Sequence, residues 1–178
     1  LTSPKRSLPV SEILCFLASR QGKLQGVAIT GGEPTLYKGL PDFLWEVKKM
    51  GFSVKLDTNG TNPEMLEELL NGSIPRLVDY IAMDIKGPAH RYNEIAGVDV
   101  DVAKVKKSIQ KIIYSGVAHE FRTTVMPGFF SPEDIQDIWA LCHGGDRLIL
   151  QPFLPNSTLN PDFQKYPRTS EDELRHLH

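Results

Sequence analysis

Gly31-Gly32-Glu33-Pro34-Thr35 directly follows the short apolar run Val27–Thr30. Two glycines let a ligand come close to the backbone, because no Cβ intervenes. Exposed carbonyls there, with one carboxylate, can hold an ammonium group; a tight strand-to-helix turn is the other use of the same residues. Asp57 closes a second apolar run and precedes Thr58-Asn59-Gly60, where it can serve a ligand or stabilise the turn by bonding nearby amides. Asp84 and Lys86 lie two apart, so on a strand they share one face, and Ile81, Met83 and Ile85 take the other. A lysine so placed suits a ligand carboxylate or phosphate, or an ion pair with Asp84 or Asp57. Arg122 and Thr124 share a face by the same rule, and Arg122 can also pair with Asp84. Charges of both signs gathered in a cleft are costly unless they pair with each other or with a ligand.

These residues need a common scaffold. Five apolar runs read as strands: Val27–Thr30, Ser53–Thr58, Tyr80–Ile85, Glu120–Val125 and Leu148–Leu150, the last leading into Gln151-Pro152-Phe153. Helical spacing precedes and separates them. Val10, Ile13, Leu14 and Leu17 form one apolar face behind Pro9, and Leu40, Phe43, Leu44 and Val47 form a second, closed by Gly51. Asn62-Pro63 opens a helix carrying Leu66, Leu69 and Leu70, and Val102, Val105, Ile109 and Ile112 define the next. Ser131-Pro132-Glu133-Asp134 is a helix start, and Ser170 with Glu173 makes a capping box for a terminal helix. Asn156 to Arg168 reads as a loop. Strands alternating with helices specify a parallel sheet with right-handed crossovers. Both a doubly wound open sheet and part of a barrel satisfy that order, and in both the working residues stand beyond the carboxyl ends of the strands.

With 178 residues and a net charge of −2, the chain reads as a single domain over residues 1–178. The balance of 40% hydrophobic and 24% charged residues is that of a folded globular protein. The small net charge argues against nucleic acid as a partner, and no apolar run approaches the ~20 residues that span a bilayer, so no membrane role is expected. Cys15 and Cys142 read as buried or half-buried free thiols. Their separation makes neither a metal motif nor a disulfide framework, and the usage fits a reducing, cytoplasmic setting. His90, His119, His143, His176 and His178 have no recurring spacing and read as surface or loop residues.

The series of strand ends resembles the radical S-adenosylmethionine (radical SAM) superfamily over nearly the whole chain. Val27-Ala28-Ile29-Thr30-Gly31-Gly32-Glu33-Pro34-Thr35-Leu36 looks like its Gly-Gly-Glu segment. Leu56-Asp57-Thr58-Asn59-Gly60, Met83-Asp84-Ile85-Lys86, Phe121-Arg122-Thr123-Thr124-Val125 and Leu150-Gln151-Pro152-Phe153 look like the strand ends that follow in the branch that activates glycyl-radical enzymes. Within it, the activators of anaerobic ribonucleoside-triphosphate reductase are most similar, then those of pyruvate formate-lyase.

The resemblance implies a partial (βα)6 TIM-like barrel, with the first strand and the cluster loop missing from this chain. It implies that Gly31, Gly32 and Glu33 meet the ammonium of S-adenosylmethionine, that Lys86 meets its carboxylate, and that Arg122 and Thr124 lie near the nucleoside. Asp57, Thr58, Asp84 and the Met83 carbonyl would correspond to a monovalent-cation site. A histidine that the branch uses after its last strand corresponds here to Leu154. The implied chemistry is anaerobic: a [4Fe–4S] cluster reduces S-adenosylmethionine, and the resulting 5′-deoxyadenosyl radical takes a glycine hydrogen from the partner enzyme. The implied partners are a glycyl-radical enzyme and an electron donor such as flavodoxin or ferredoxin. The family's Cys-x3-Cys-x2-Cys ligand set has no counterpart among the two cysteines. The chain is therefore expected to begin just after the cluster loop, to be inactive alone, and to expose an edge of the strand Val27–Thr30. A non-catalytic barrel that binds S-adenosylmethionine, a nucleotide or a protein is one alternative, and a radical enzyme acting on a small substrate is another.

Overall fold

A computed structural model describes residues 8–71, 76–155 and 161–177. The strands are Gly26–Ile29 (β1), Ser53–Thr58 (β2), Tyr80–Asp84 (β3), Ala118–Val125 (β4) and Leu148–Pro152 (β5). They form one sheet in the order β1-β2-β3-β4-β5, every neighbouring pair parallel. That order decides between the two architectures. A doubly wound sheet reverses direction at a switch point, and this sheet does not. Right-handed crossovers that all step the same way lay their helices on one side of the sheet. The fold is therefore α/β, part of a TIM-like barrel.

The helices are Val10–Ala18 (α1), Leu40–Lys49 (α2), Pro63–Asn71 (α3), Tyr92–Ala96 (α4), Val102–Tyr114 (α5), Pro132–Leu141 (α6) and Glu171–His176 (α7). Their starts follow the local chemistry. The Asn62 side chain accepts from Met65 N–H at 3.3 Å. Ser131 with Asp134, and Ser170 with Glu173, form complete capping boxes.

Burial along the strands shows the two unlike faces. In β2, Val54, Leu56 and Thr58 are buried, and Lys55 and Asp57 are half-buried. In β4, His119, Phe121, Thr123 and Val125 are buried, whereas Glu120 and Arg122 are half-buried and Thr124 is exposed. The buried set joins Leu44, Val47, Leu66, Leu69, Ile109 and Ile112 in one core, each such side chain contributing about 1.5–3 kcal/mol by its removal from water. The other face carries the charged residues. Among the described residues β1 pairs with β2 alone, so its outer edge is open, as expected for that strand.

Four sequence expectations need correction. The helix α4 is new: five residues give no readable periodicity. Of the segment read as a loop, residues 156–160 lie outside the described residues, and Pro161–Lys165 form a 3-10 helix. His119 is not a surface or loop residue but 4% exposed. β4 begins two residues earlier than expected, which puts His119 on the helix side. There Nδ1–H donates to Val117 O at 2.7 Å and Nε2 accepts from Asp146 N–H at 3.2 Å. Cys15 is exposed, because α1 buries only Leu17.

Thr123 is fully buried and its hydroxyl has no hydrogen-bond partner. Burying such a group unpaired costs about 1–3 kcal/mol. Thr123→Val is expected to raise the unfolding free energy by about 1 kcal/mol in urea denaturation. A loss of similar size would mean that the hydroxyl is satisfied after all.

Candidate ligand site at the strand ends

The first element of the site is the carboxylate of Glu33, between β1 and the 3-10 turn Pro34–Leu36. Oε1 accepts from Thr35 N–H at 3.1 Å, from the Thr35 hydroxyl, and from the Thr58 hydroxyl at 2.7 Å. Oε2 accepts from Asn59 N–H at 2.6 Å. The carboxylate therefore fastens the end of β1 to the end of β2. All these donors are neutral, no cation among the described residues pairs with the carboxylate, and Oε2 keeps room for a further donor. Gly31 and Gly32 beside it are exposed, and Gly31 holds φ +128°, a conformation that favours glycine. Asn62 donates from its side chain to Thr35 O at 2.6 Å and ties this turn to the start of α3.

The second element is a chain of alternating charges across β2, β4 and β3. Lys55 pairs with Asp57. Arg122 stands between the two carboxylates, 3.8 Å from Asp57 and 2.9–3.0 Å from Asp84. Lys86 reaches Asp84 at 3.4 Å. The register explains the central pair, since Asp84 and Arg122 are direct neighbours across the β3–β4 ladder. Three cations against two carboxylates leave one positive charge in excess. It is best placed on Lys86, whose side chain is 46% exposed and whose pair with Asp84, at 3.4 Å, is longer than the 2.9 Å pair that Arg122 makes with the same carboxylate.

The sequence pattern did not single out Lys55, Tyr80 and Glu120, which continue the polar face below. Tyr80 donates to Glu120 at 2.7 Å, and burial, then this carboxylate, pushes its phenol above the ordinary value. A signal was available: period-two alternation puts Lys55 with Asp57 and Glu120 with Arg122.

The structure brings Asp57, Asp84, Lys86 and Arg122 together, with Thr124 exposed at the end of the same face of β4. It does not bring Thr58 with them. Thr58 points to the helix side and is buried, its hydroxyl donating to Glu33 and accepting from Gly60 N–H at 3.1 Å. The two aspartates implied for a cation already share a guanidinium. Among the described residues no group of three or more His, Cys, Asp or Glu could hold a metal ion. Leu154 follows β5 and is 48% exposed.

The cysteines do not fit an iron–sulfur cluster. Cys15 lies on α1, away from the strand ends. Cys142 caps the carboxyl end of α6, and burial pushes its thiol up to about 12, where it stays protonated.

The parallel, barrel-type sheet thus carries the carboxylate of Glu33 after β1 and the ammonium of Lys86 after β3. The sequence pattern of the Radical SAM superfamily matches residues 2–142, and the chain belongs to that superfamily. A protein of Methanocaldococcus jannaschii, provisionally named a glycyl-radical enzyme activating enzyme, is 37% identical over 181 residues, 97% of this chain and 72% of the relative. A 7-carboxy-7-deazaguanine synthase of Thermococcus kodakarensis is 29% identical over 136 residues, 75% of this chain and 50% of that one. Among solved structures, Streptococcus suis SuiB bound to S-adenosylmethionine superposes with a TM-score of 0.73 at 16% identity, over 99% of this chain and 40% of SuiB. That last likeness concerns the fold. The chain thus spans half or less of two of these three proteins. No helix among the described residues is long and apolar enough to cross a membrane.

Burial separates the two thiols. Under native conditions a maleimide reagent is expected to modify Cys15 rapidly and Cys142 only after unfolding, giving one label per chain by mass. Two labels in the native state would contradict the packing of α6.

Proposed function

We propose that this chain is the S-adenosylmethionine-holding core of an enzyme that installs a glycyl radical on a partner such as anaerobic ribonucleoside-triphosphate reductase or pyruvate formate-lyase. The observation that carries the reading is the pair of opposed poles: Glu33, held by neutral donors only, and Lys86, the surplus cation of the charge chain. A ligand with an ammonium and a carboxylate on one carbon matches both. Gly31, Gly32 and Glu33 would receive the ammonium, Lys86 the carboxylate, and Arg122 and Thr124 would face the nucleoside. Arg122 is engaged with Asp84 and Asp57, so its contribution is to hold the charge chain in place and leave Lys86 for the ligand. Asp57 acts through Arg122 in the same way. A monovalent cation near Asp57 and Asp84 would have to share these carboxylates with the guanidinium.

When bound, S-adenosylmethionine supplies a carbon–sulfur bond whose reductive cleavage gives a 5′-deoxyadenosyl radical. The residues of this chain bind and orient it; they provide no ligand set for the [4Fe–4S] cluster, and an electron donor of the flavodoxin or ferredoxin kind is a further requirement. What supports the glycyl-radical assignment is the 37% identical relative. The similarity to a 7-carboxy-7-deazaguanine synthase favours a second reading, a radical enzyme with a small substrate.

The chain is expected to bind S-adenosylmethionine in calorimetry and to form no 5′-deoxyadenosine anaerobically with dithionite. Lys86→Ala should weaken binding about tenfold or more, the size of a lost charge-assisted contact. Unchanged affinity in that variant would remove the assigned carboxylate contact. Retention of a glycyl-radical enzyme on the immobilised chain supports the first substrate class, and its absence supports the second.

A further inference from the structure

Lys86 stands two residues past β3; Ile85 N–H still donates to Arg122 O at 2.8 Å, and the backbone beyond rests on one short element. The chain turns at Pro88, whose carbonyl accepts from Arg91 N–H at 3.1 Å, and then enters α4. Gly87 and Pro88 are buried. Gly87 lies so close to α4 that a Cβ there would stand 2.6 Å from Cδ1 and 3.3 Å from Cβ of Ile95. The residue next to Lys86 is thus seated directly on α4, with Ile95 filling the space a side chain would take.

α4 is in turn fixed by Arg91, which precedes it. The Arg91 guanidinium donates to Glu94 at 2.7 and 3.0 Å, to Asp134 at 2.6 Å, and to the carbonyl of Phe129 at 3.1 Å. Asp134 is 5% exposed, and it closes the capping box of α6 by accepting from Ser131 N–H at 3.0 Å. Phe129 lies in the connection after β4, and its ring packs edge-on against Phe163 and Tyr166 with centroids 6.4 and 5.8 Å away. One guanidinium therefore joins the connections that follow β3 and β4 at the carboxyl end of the sheet. A buried carboxylate needs such a partner, and a planar fork meets a carboxylate and a carbonyl together where a lysine cannot.

We propose that Arg91 is a positioning residue: by latching α4 to the buried carboxylate of Asp134, it sets where the ammonium of Lys86 stands at the strand ends. This rests on the reading that Lys86 receives the carboxylate of S-adenosylmethionine. Arg91 itself does not touch the ligand. Its effect on binding must pass through Lys86, and a merely structural role would not.

The test is a double-mutant cycle read as the Kd for S-adenosylmethionine, in chains whose near-ultraviolet circular dichroism shows native packing. Arg91→Ala should weaken binding about five- to tenfold in the parent chain and leave it unchanged once Lys86→Ala is present. Equal weakening in both backgrounds, or none in the parent, overturns the proposal while the ligand assignment stands. If Lys86→Ala itself has no effect, the ligand assignment fails and the proposal fails with it, a result recognisable from that single variant. A second route avoids breaking the buried pair. Gly87→Ala should weaken binding, and adding Ile95→Val, which removes the methyl in its way, should restore it. Weakening that Ile95→Val does not relieve, or no weakening at all, counts against α4 as the platform.

Discussion

Five strands that follow one another in space as they do in sequence impose a constraint on everything else. Each crossover is right-handed and steps the same way, so the helices share one side of the sheet. The side that faces them must be apolar, which is why Val54, Leu56, Ile81, Met83, Phe121 and Val125 are all buried. The other side is released from that demand. Lys55, Asp57, Asp84 and Arg122 can stand there because they pair with one another instead of packing in the core, and Glu120 because it accepts from Tyr80. The charges are thus a consequence of the topology as well as the basis of the site.

Electrostatic compensation at the strand ends is incomplete in two places. Glu33 is satisfied as a hydrogen-bond acceptor but not as a charge. Lys86 ends a row with one cation more than carboxylates. The two groups lie beyond β1 and β3, with β2 between them. Bonds to a charged acceptor each contribute about 1.5–3 kcal/mol, so the donors on Glu33 are enough to join the ends of β1 and β2 into one rigid edge. A site whose parts are already held in place binds without the cost of ordering them. The same logic extends to Lys86, whose backbone leans on α4.

Much of this was legible in the sequence, because period-two alternation sorts strand residues by face. It paired Asp84 with Lys86 and Arg122 with Thr124, and set both pairs apart from the buried side chains between them. It could not tell a barrel segment from a doubly wound sheet, since both alternate strands with helices; only strand order separates them. It missed α4, whose five residues carry too little pattern, and with it the latch from Arg91 to Asp134. His119 was misplaced because the first two residues of β4, Ala118 and His119, break the apolar run that marks the strand. Thr58 was grouped with Asp57 by the resemblance alone, and its side chain lies on the opposite face, as adjacency on a strand requires. Long-range partners of this kind depend on register, and a single sequence does not state the register.

The central claim is that the strand ends after β1 and β3 together hold the amino-acid end of S-adenosylmethionine. The most direct measurement is a nitrogen-15 resonance titration of the folded chain with S-adenosylmethionine. The account predicts that the amides of Gly31, Gly32, Asn59 and Lys86 shift together with one Kd, while those lining the apolar groove of Ile135, Trp139 and Leu150 do not. Shifts centred on that groove, with the strand-end amides unmoved, would contradict it.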